Sequence, residues 1–554
     1  MCGILTIIDN EKVLSKGPSF EQLLELIKHR GPDHADYLEI DGLYLGHTRL
    51  SIIDLKGGDQ PLVKDNKILL FNGEIYNYQT LKEELEREGI SFSTKSDTEV
   101  LLECYNKYGY NFIEHLDGMF AFVIYDKLKE HLVFGRDKLG IKPLYFYQGE
   151  KHKVIASEMH PINALLPNLV SIKHSYIKEY LEKGYSFEKL YNDQKIINKG
   201  TVYTYDIETG EIDERFKLKL LKNTKNGITA NSLKSLLEQE IESQLHADVD
   251  VGVLLSGGID SSIITAIASN YRESINTYSI TFDKSEFSES YYSQLVANKF
   301  KTNHKEFEFD EEKLLEYIPR MIECIDVPLY DPAMLPLMYL CDNVSKYQKV
   351  VLSGDGGDEL FAGYTHLRIL RYKQLIKPVI PVLFLLKSQS AKLRHVYEII
   401  QSNLSNMSVN EKYQQDFEIL DNKLLRKTDL CSMYYGLEVR VPFLSERLLK
   451  YVQQYPPSNF MNLKYGKTPL RKLASQLVGK EIAYKKKQGF RIPLKKWVNG
   501  ILYDEIKDDV SDSMIPRKIL DKTQINSYLS KPEIYYENLF KIYVLNKWLK
   551  KNIE

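Results

Sequence analysis

The second residue of the chain is a cysteine, in the opening MCGI. A small residue at this position lets an aminopeptidase remove Met1, which would leave one residue carrying both a thiol and a free α-amine. An α-amine titrates at about 7.7–8.0, so it can act as general base for its own thiol. The competing reading of Cys2 is a small apolar residue that starts a buried strand. Three later segments hold groups that such a thiol could use. In NGEIYN, the Asn72 amide and the Gly73 N–H can form an oxyanion hole, or simply a turn. In RLSIID, the Arg49 guanidinium suits bidentate capture of a carboxylate. In SDTEV, Asp97 stands just ahead of a helical pattern, where it either caps the helix or pairs with an ammonium group.

A second chemistry sits at SGGIDSS, residues 256–262. Its glycines let backbone wrap an anion, its hydroxyls donate to one, and a following helix N-terminus favours negative charge. Asp260 would repel a phosphate unless a Mg²⁺ lay between them. Other nucleotide motifs fail. Gly466–Lys467–Thr468 has Met461 where a Walker A loop needs glycine, and neither GxGxxG after a strand nor GxSxG occurs.

The elements that position these groups change character along the chain. Up to about residue 215, short apolar runs such as ILTII, KILLF, MFAFVIY and KVIAS alternate with turn residues and read as strands. Two helices are predicted there, near Tyr78–Glu88 and Asp97–Tyr108. The polar stretch KNTKNGITAN, Lys222–Asn231, reads as a linker. After it, DVGVLL, NTYSITF and KVVLS read as strands alternating with helices at SIITAIAS, Tyr291–Phe300 and LFAGY, the pattern of a doubly wound parallel sheet. From about Tyr364 the chain reads as mainly helical.

With 43% apolar and 27% charged residues among 554, the chain can build full cores. Lys+Arg of 74 against Asp+Glu of 76 leaves a net charge of -2, which gives no support for nucleic-acid binding. The five cysteines are scattered and form no CxxC pair, so neither a disulfide framework nor a zinc ribbon is expected. The N-terminus lacks a basic n-region and a long apolar h-region. The most apolar stretch, Pro378–Leu386, is too short to span a bilayer. A cytoplasmic protein without membrane partners is expected.

Taken together, MCGI, HRGPD, RLSIID, NGEIYN, SDTEV, GMFAF and RDKLGIKPLY resemble the class II glutamine amidotransferase domain. The resemblance implies an N-terminal-nucleophile αββα sandwich over residues 2–215 that hydrolyses glutamine to glutamate and ammonia. It implies Cys2 as nucleophile and Asn72 and Gly73 as oxyanion donors. It also places glutamine against Arg49, Leu50, Ser51, Ile52 and Ile53, with Glu74 and Asp97 at its α-amino end. SGGIDSS resembles the pyrophosphate loop of the N-type ATP pyrophosphatases. With SGDGGDELFAGY, LEVRVPFL, YGKTPLR and KKKQGFRIPLKKWV, residues 230–554 are similar to the synthetase domain of glutamine-hydrolysing asparagine synthetases. That implies L-aspartate, ATP and L-glutamine as substrates, and ammonia channelled to a β-aspartyl-AMP. By the same match, Leu254, Ser256, Gly257, Gly258, Asp260, Ser261, Ile280, Ser353 and Gly354 contact ATP, and Asp260 and Asp358 hold Mg²⁺. Lys467 neutralises charge at the α-phosphate, unless it is a solvated surface lysine; Lys485–Lys487 and Lys495–Lys496 read as solvated faces. The family commonly forms homodimers.

Two departures bear on the acceptor. Asp355 stands where many members carry Glu; it either orients the acceptor or caps the next helix. Val327, in DVPLYDPAML, departs from an Asp-Glu/Gln-Pro pattern expected near the acceptor. Free aspartate is the expected acceptor, with another carboxylate, such as a cell-wall or sugar uronate group, as the alternative.

Overall fold

The computed structural model describes residues 2–9, 14, 17–166, 172–218, 230–282, 290–372, 407–485 and 492–553. Residues 222–229 of the expected linker Lys222–Asn231, the apolar stretch at 378–386 and Lys486 and Lys487 lie outside these residues; the linker's last two positions instead begin the helix Ala230–Gln244. No helix among the described residues is long and apolar enough to cross a membrane.

The N-terminal part holds two six-stranded sheets. Strands β1 (Cys2–Ile8), β2 (His34–Ile40) and β3 (Leu43–Arg49) join β8 (Tyr145–Gln148), β9 (Lys153–Ala156) and β10 (Gln194–Lys195) in the first. The second is built from β4 (Leu62–Lys64), β5 (Lys67–Ile75), β6 (Gly118–Asp126), β7 (His131–Arg136), β11 (Thr201–Asp206) and β12 (Ile212–Lys217). The period-2 alternation of β1 sends Ile4 and Ile8 inward to meet Ile68, Leu70, Val123 and Phe134 of the other sheet. Its other face, Leu5 and Ile7, packs on the helices Phe20–Glu25 and His160–Leu165. The helices Tyr78–Arg87 and Asp97–Tyr108 cover the far face of the second sheet through Leu81, Leu85, Val100 and Leu101 against Leu69 and Phe71. The layering is helix, sheet, sheet, helix.

The C-terminal part is built on a five-stranded, all-parallel sheet in the order β15-β14-β13-β16-β17. Its strands are β13 (Val251–Leu254), β14 (Asn276–Phe282), β15 (Asn303–Phe309), β16 (Val350–Leu352) and β17 (Glu438–Arg440). The chain winds outward in both directions from β13, so a crevice opens beyond the carboxyl ends of β13 and β16. SGGIDSS follows one of these strands and SGDGGDE the other.

Two local readings change. LFAGY is not helical: the helix falls earlier, at Gly357–Leu360, and Ala362 sits in the left-handed region at φ 49°. Position 363 must be glycine, because a Cβ there would lie 2.0 Å from Asp358 Oδ1 and 2.4 Å from Lys467 Cε. Val327 is buried in the core beneath the first sheet and does not itself line the crevice.

The two parts share that core. The C-terminal helix Pro532–Ile553 packs against the helix His174–Lys183, and Tyr180 donates its hydroxyl to the Lys541 carbonyl at 3.1 Å.

Candidate active sites

Cys2 begins β1, is 7% exposed, and pairs in register with Arg49 of β3. Its backbone nitrogen donates to Asn72 Oδ1 at 3.0 Å. Asn72 is fully buried at the middle of β5, and its Nδ2 has no hydrogen-bond partner. A buried amide donor with no partner among the described residues costs stability, and this one lies beside the Cys2 nitrogen. Next to it Gly73 is required by space, because a Cβ would lie 2.1 Å from the Met119 carbonyl oxygen across the sheet. Burial pushes the Cys2 thiol above its ordinary value; the amino terminus, the Leu50 N–H and Arg49 pull the other way.

The remaining glutaminase candidates surround this thiol in different ways. Ser96, not Asp97, caps the helix, accepting from Thr98 N at 3.2 Å. Asp97 is the first helical residue, and its carboxylate accepts from Ile75 N at 3.0 Å. Burial pushes the Asp97 carboxyl up to about 6. Arg49 is held by Asp59 at 2.6 Å and by the carbonyls of Ile53 and Asp54 at 3.2 and 2.7 Å, so it braces the loop that follows β3. Ser51 N donates to Asp33 at 2.7 Å, while Leu50 and Ile52 are buried in the core they share with the parallel sheet. Glu74 faces the C-terminal part, 3.3 Å from Arg440, and burial pushes its carboxyl well up.

The crevice beyond the parallel sheet is a cavity of about 330 Å³. Leu254, Ser256, Gly258, Asp260, Ser261, Ile280, Ser353 and Gly354 line it, as do Asp355, Asp358 and Lys467. Gly257 turns the loop at φ 68°, where a Cβ would meet Ser293 N at 2.6 Å. Ser256 and Ser261 hydroxyls lie 3.2 Å apart, facing the helix start. Lys467 is buried, and its Nζ lies 2.5 Å from Asp260 and 2.9 Å from Asp358. The surface-lysine reading therefore fails. Burial alone would lower this ammonium, but the two carboxylates push it up to about 12. Lys467 also holds a left-handed backbone at φ 53°, a strained conformation for a non-glycine residue.

Asp355 does not cap a helix; the cap position belongs to Gly356, without a side-chain bond. Its Oδ2 accepts from Thr428 Oγ1 at 3.0 Å instead. Lys485, expected on a solvated face, lines the cavity with its Nζ 4.3 Å from the Tyr292 ring centre.

Between the two sites lies a set of buried charges that sequence reasoning missed. Arg30 donates to the Cys2 carbonyl at 3.1 Å, to Glu158 at 2.7 Å, and to Asp429 at 2.9 and 3.2 Å. Lys142 reaches Asp429 from the same side at 3.4 Å. Asp429 belongs to the helix Leu424–Met433, whose neighbouring residues Lys427 and Thr428 line the cavity. One helix thus touches both candidate sites. Each of these charges stands alone in sequence, Arg30 and Asp429 being 399 positions apart, so only HRGPD offered a signal.

Residues 232–550 match the family model described as asparagine synthase, and residues 1–216 match the glutamine amidotransferase domain. Asparagine synthetase (glutamine-hydrolyzing) 1 of Bacillus subtilis is 29% identical, over 96% of this chain and 92% of that one. Asparagine synthetase B of Escherichia coli is 30% identical, over 98% and 91%. Asparagine synthetase 2 of Arabidopsis thaliana is 28% identical, over 98% and 87%. With a family model covering most of its length and relatives that match from end to end, the chain belongs to the asparagine synthase family.

Proposed function

We propose that the protein makes L-asparagine from L-aspartate, ATP and L-glutamine. The reading rests chiefly on the orphaned Asn72 amide beside Cys2. Once Met1 is removed, the nitrogen now bonded to Asn72 Oδ1 becomes an α-amine that takes the thiol proton. The thiolate adds to the glutamine carboxamide, Asn72 Nδ2 and the Gly73 N–H receive the oxyanion, and ammonia leaves. Water then releases glutamate from the thioester. Asp97 would pair with the α-ammonium of glutamine, and Arg49 with its α-carboxylate once Asp59 is displaced.

In the cavity the Ser256–Ser261 loop would hold pyrophosphate while the aspartate β-carboxylate attacks the α-phosphorus. Pyrophosphate leaves, ammonia attacks the acyl carbon, and AMP departs. Lys467 neutralises charge developing on the phosphate. Asp260 and Asp358 offer two hard carboxylates on one wall beside the phosphate loop, a donor set that would hold Mg²⁺. Mg²⁺ would supply charge neutralisation on the pyrophosphate.

The test is product analysis with purified protein. Asparagine, AMP and pyrophosphate are expected in equal amounts from aspartate, ATP and glutamine. ADP in place of AMP, or an aspartate-independent rate as large as the aspartate-dependent one, refutes the reading.

A further inference from the structure

The cavity has a part that the nucleotide roles leave unassigned. Beyond the phosphate loop its lining includes Lys427, Thr428 and Asp355. Lys427 is mostly buried, and its Nζ lies 3.2 Å from Asp331 Oδ2. Asp331 is itself fixed, accepting from Ala333 N at 3.0 Å. Burial alone would lower the Lys427 ammonium, but Asp331 and Asp355 outweigh it and hold it above the ordinary lysine value. Two other cations of this wall, Lys467 and Arg471, are engaged elsewhere, and Lys485 also lines it beside the Tyr292 ring. Lys467 bridges Asp260 and Asp358, and Arg471 donates to the Gly466 and Ala483 carbonyls at 2.9 and 2.5 Å.

A buried cation beside two carboxylates is a poor site for a simple carboxylate and a good one for a zwitterion. An α-amino acid brings one charge of each sign, and each loses its hydration on entering; both losses are offset only if each meets its opposite. A sugar uronate or an unsubstituted diacid brings no ammonium for Asp355. We propose that Lys427 anchors the α-carboxylate of the acceptor and Asp355 its α-ammonium, so that this pair selects an amino-acid acceptor. Thr428 fixes Asp355 for that task, and Leu337 and Leu340 add apolar wall to the same cavity. This assignment rests on the synthetase reading above and narrows it to the residues that choose the substrate.

Two analogues of aspartate separate the contacts. β-Alanine lacks the α-carboxylate and succinate lacks the ammonium, while each keeps the carboxylate to be activated. In the unmodified enzyme both should compete with aspartate at least tenfold more weakly than aspartate itself binds. Lys427→Met should raise the aspartate KM about 10- to 100-fold, the range for losing a hydrogen bond to a charged group. The ATP KM should stay within about twofold, and the preference for aspartate over β-alanine should collapse. Lys427→Arg should restore most of that preference. Equal losses for aspartate and β-alanine would show a merely structural lysine and overturn the proposal. So would an unchanged aspartate KM in Lys427→Met, or succinate binding the unmodified enzyme as tightly as aspartate. Absence of any aspartate-dependent AMP from the unmodified enzyme would instead bring down the synthetase reading, and this proposal with it.

Discussion

Replacing Asn72 by alanine should separate catalysis from stability. The side chain makes one bond, from Cys2 N to Oδ1 at 3.0 Å, and leaves Nδ2 unpartnered in a fully buried position. The substitution forfeits a hydrogen bond worth about 1 kcal/mol, but it also removes an unsatisfied donor whose burial costs about 1–3 kcal/mol. With a small cavity added, these terms offset, and the unfolding midpoint should barely move. Glutamine hydrolysis should behave otherwise. Loss of one oxyanion donor costs about 10²–10³ in rate, or about 2.7–4 kcal/mol of transition-state stabilisation. Loss of the Oδ1 contact further loosens the base. The assay is glutamate release under saturating glutamine, run beside ammonia-dependent asparagine formation and thermal unfolding. A glutaminase rate within tenfold of the unmodified enzyme would refute the oxyanion assignment. So would an equal loss of ammonia-dependent synthesis, since that reaction bypasses the site.

Cys2→Ala should abolish glutamine-dependent synthesis and spare the ammonia-dependent reaction; any retained glutaminase activity sinks the nucleophile assignment. Lys467→Ala should depress synthesis from either nitrogen source by about 10²–10³, and an effect confined to glutamine would place the lysine elsewhere. Because the Asp97 carboxyl is pushed up to about 6, it is ionised above that pH and protonated below. The kcat/KM for glutamine should therefore fall towards tenfold per unit as pH drops below about 6, and Asp97→Asn should flatten that limb. Asp355→Glu extends a carboxylate already bonded to Thr428. A displacement of about 1 Å costs up to about 100-fold, so kcat/KM for aspartate should fall; an increase would point to a larger acceptor.

The two architectures were legible because their signals are repetitive. Period-2 alternation in ILTII and period-3.6 spacing at Tyr78–Arg87 and Asp97–Tyr108 each involve many residues that agree. The SGGIDSS loop at the cavity was legible as a strand-to-helix turn because its seven residues are contiguous. The strand Glu438–Arg440 was not, because three residues, two of them charged, carry no alternation; the strand exists because it pairs with β16, and its Arg440 is met by Glu438, Glu74 and the Gln244 and His246 carbonyls. Lys467 could be read two ways until Asp260 and Asp358 appeared beside it, 207 positions from Asp260 in the chain. The Arg30–Asp429–Lys142 group and the Lys427–Asp331 pair fail for the same reason: their meaning lies wholly in contacts between distant segments.

The docking of the last helix onto the first part sets the order in which the protein can be completed during synthesis. Tyr176, Ile177 and Tyr180 are buried in a core shared with Leu545, Trp548 and Leu549, and the Tyr180 hydroxyl is bonded to a carbonyl 361 residues later. At roughly 5–20 residues per second, the ribosome needs about 20–70 s to span that interval. Throughout it, the outer face of the first sheet and its helices is made but uncovered. A chain cut before Pro532 would therefore leave Tyr176, Ile177 and Tyr180 without the cover of Leu545, Trp548 and Leu549.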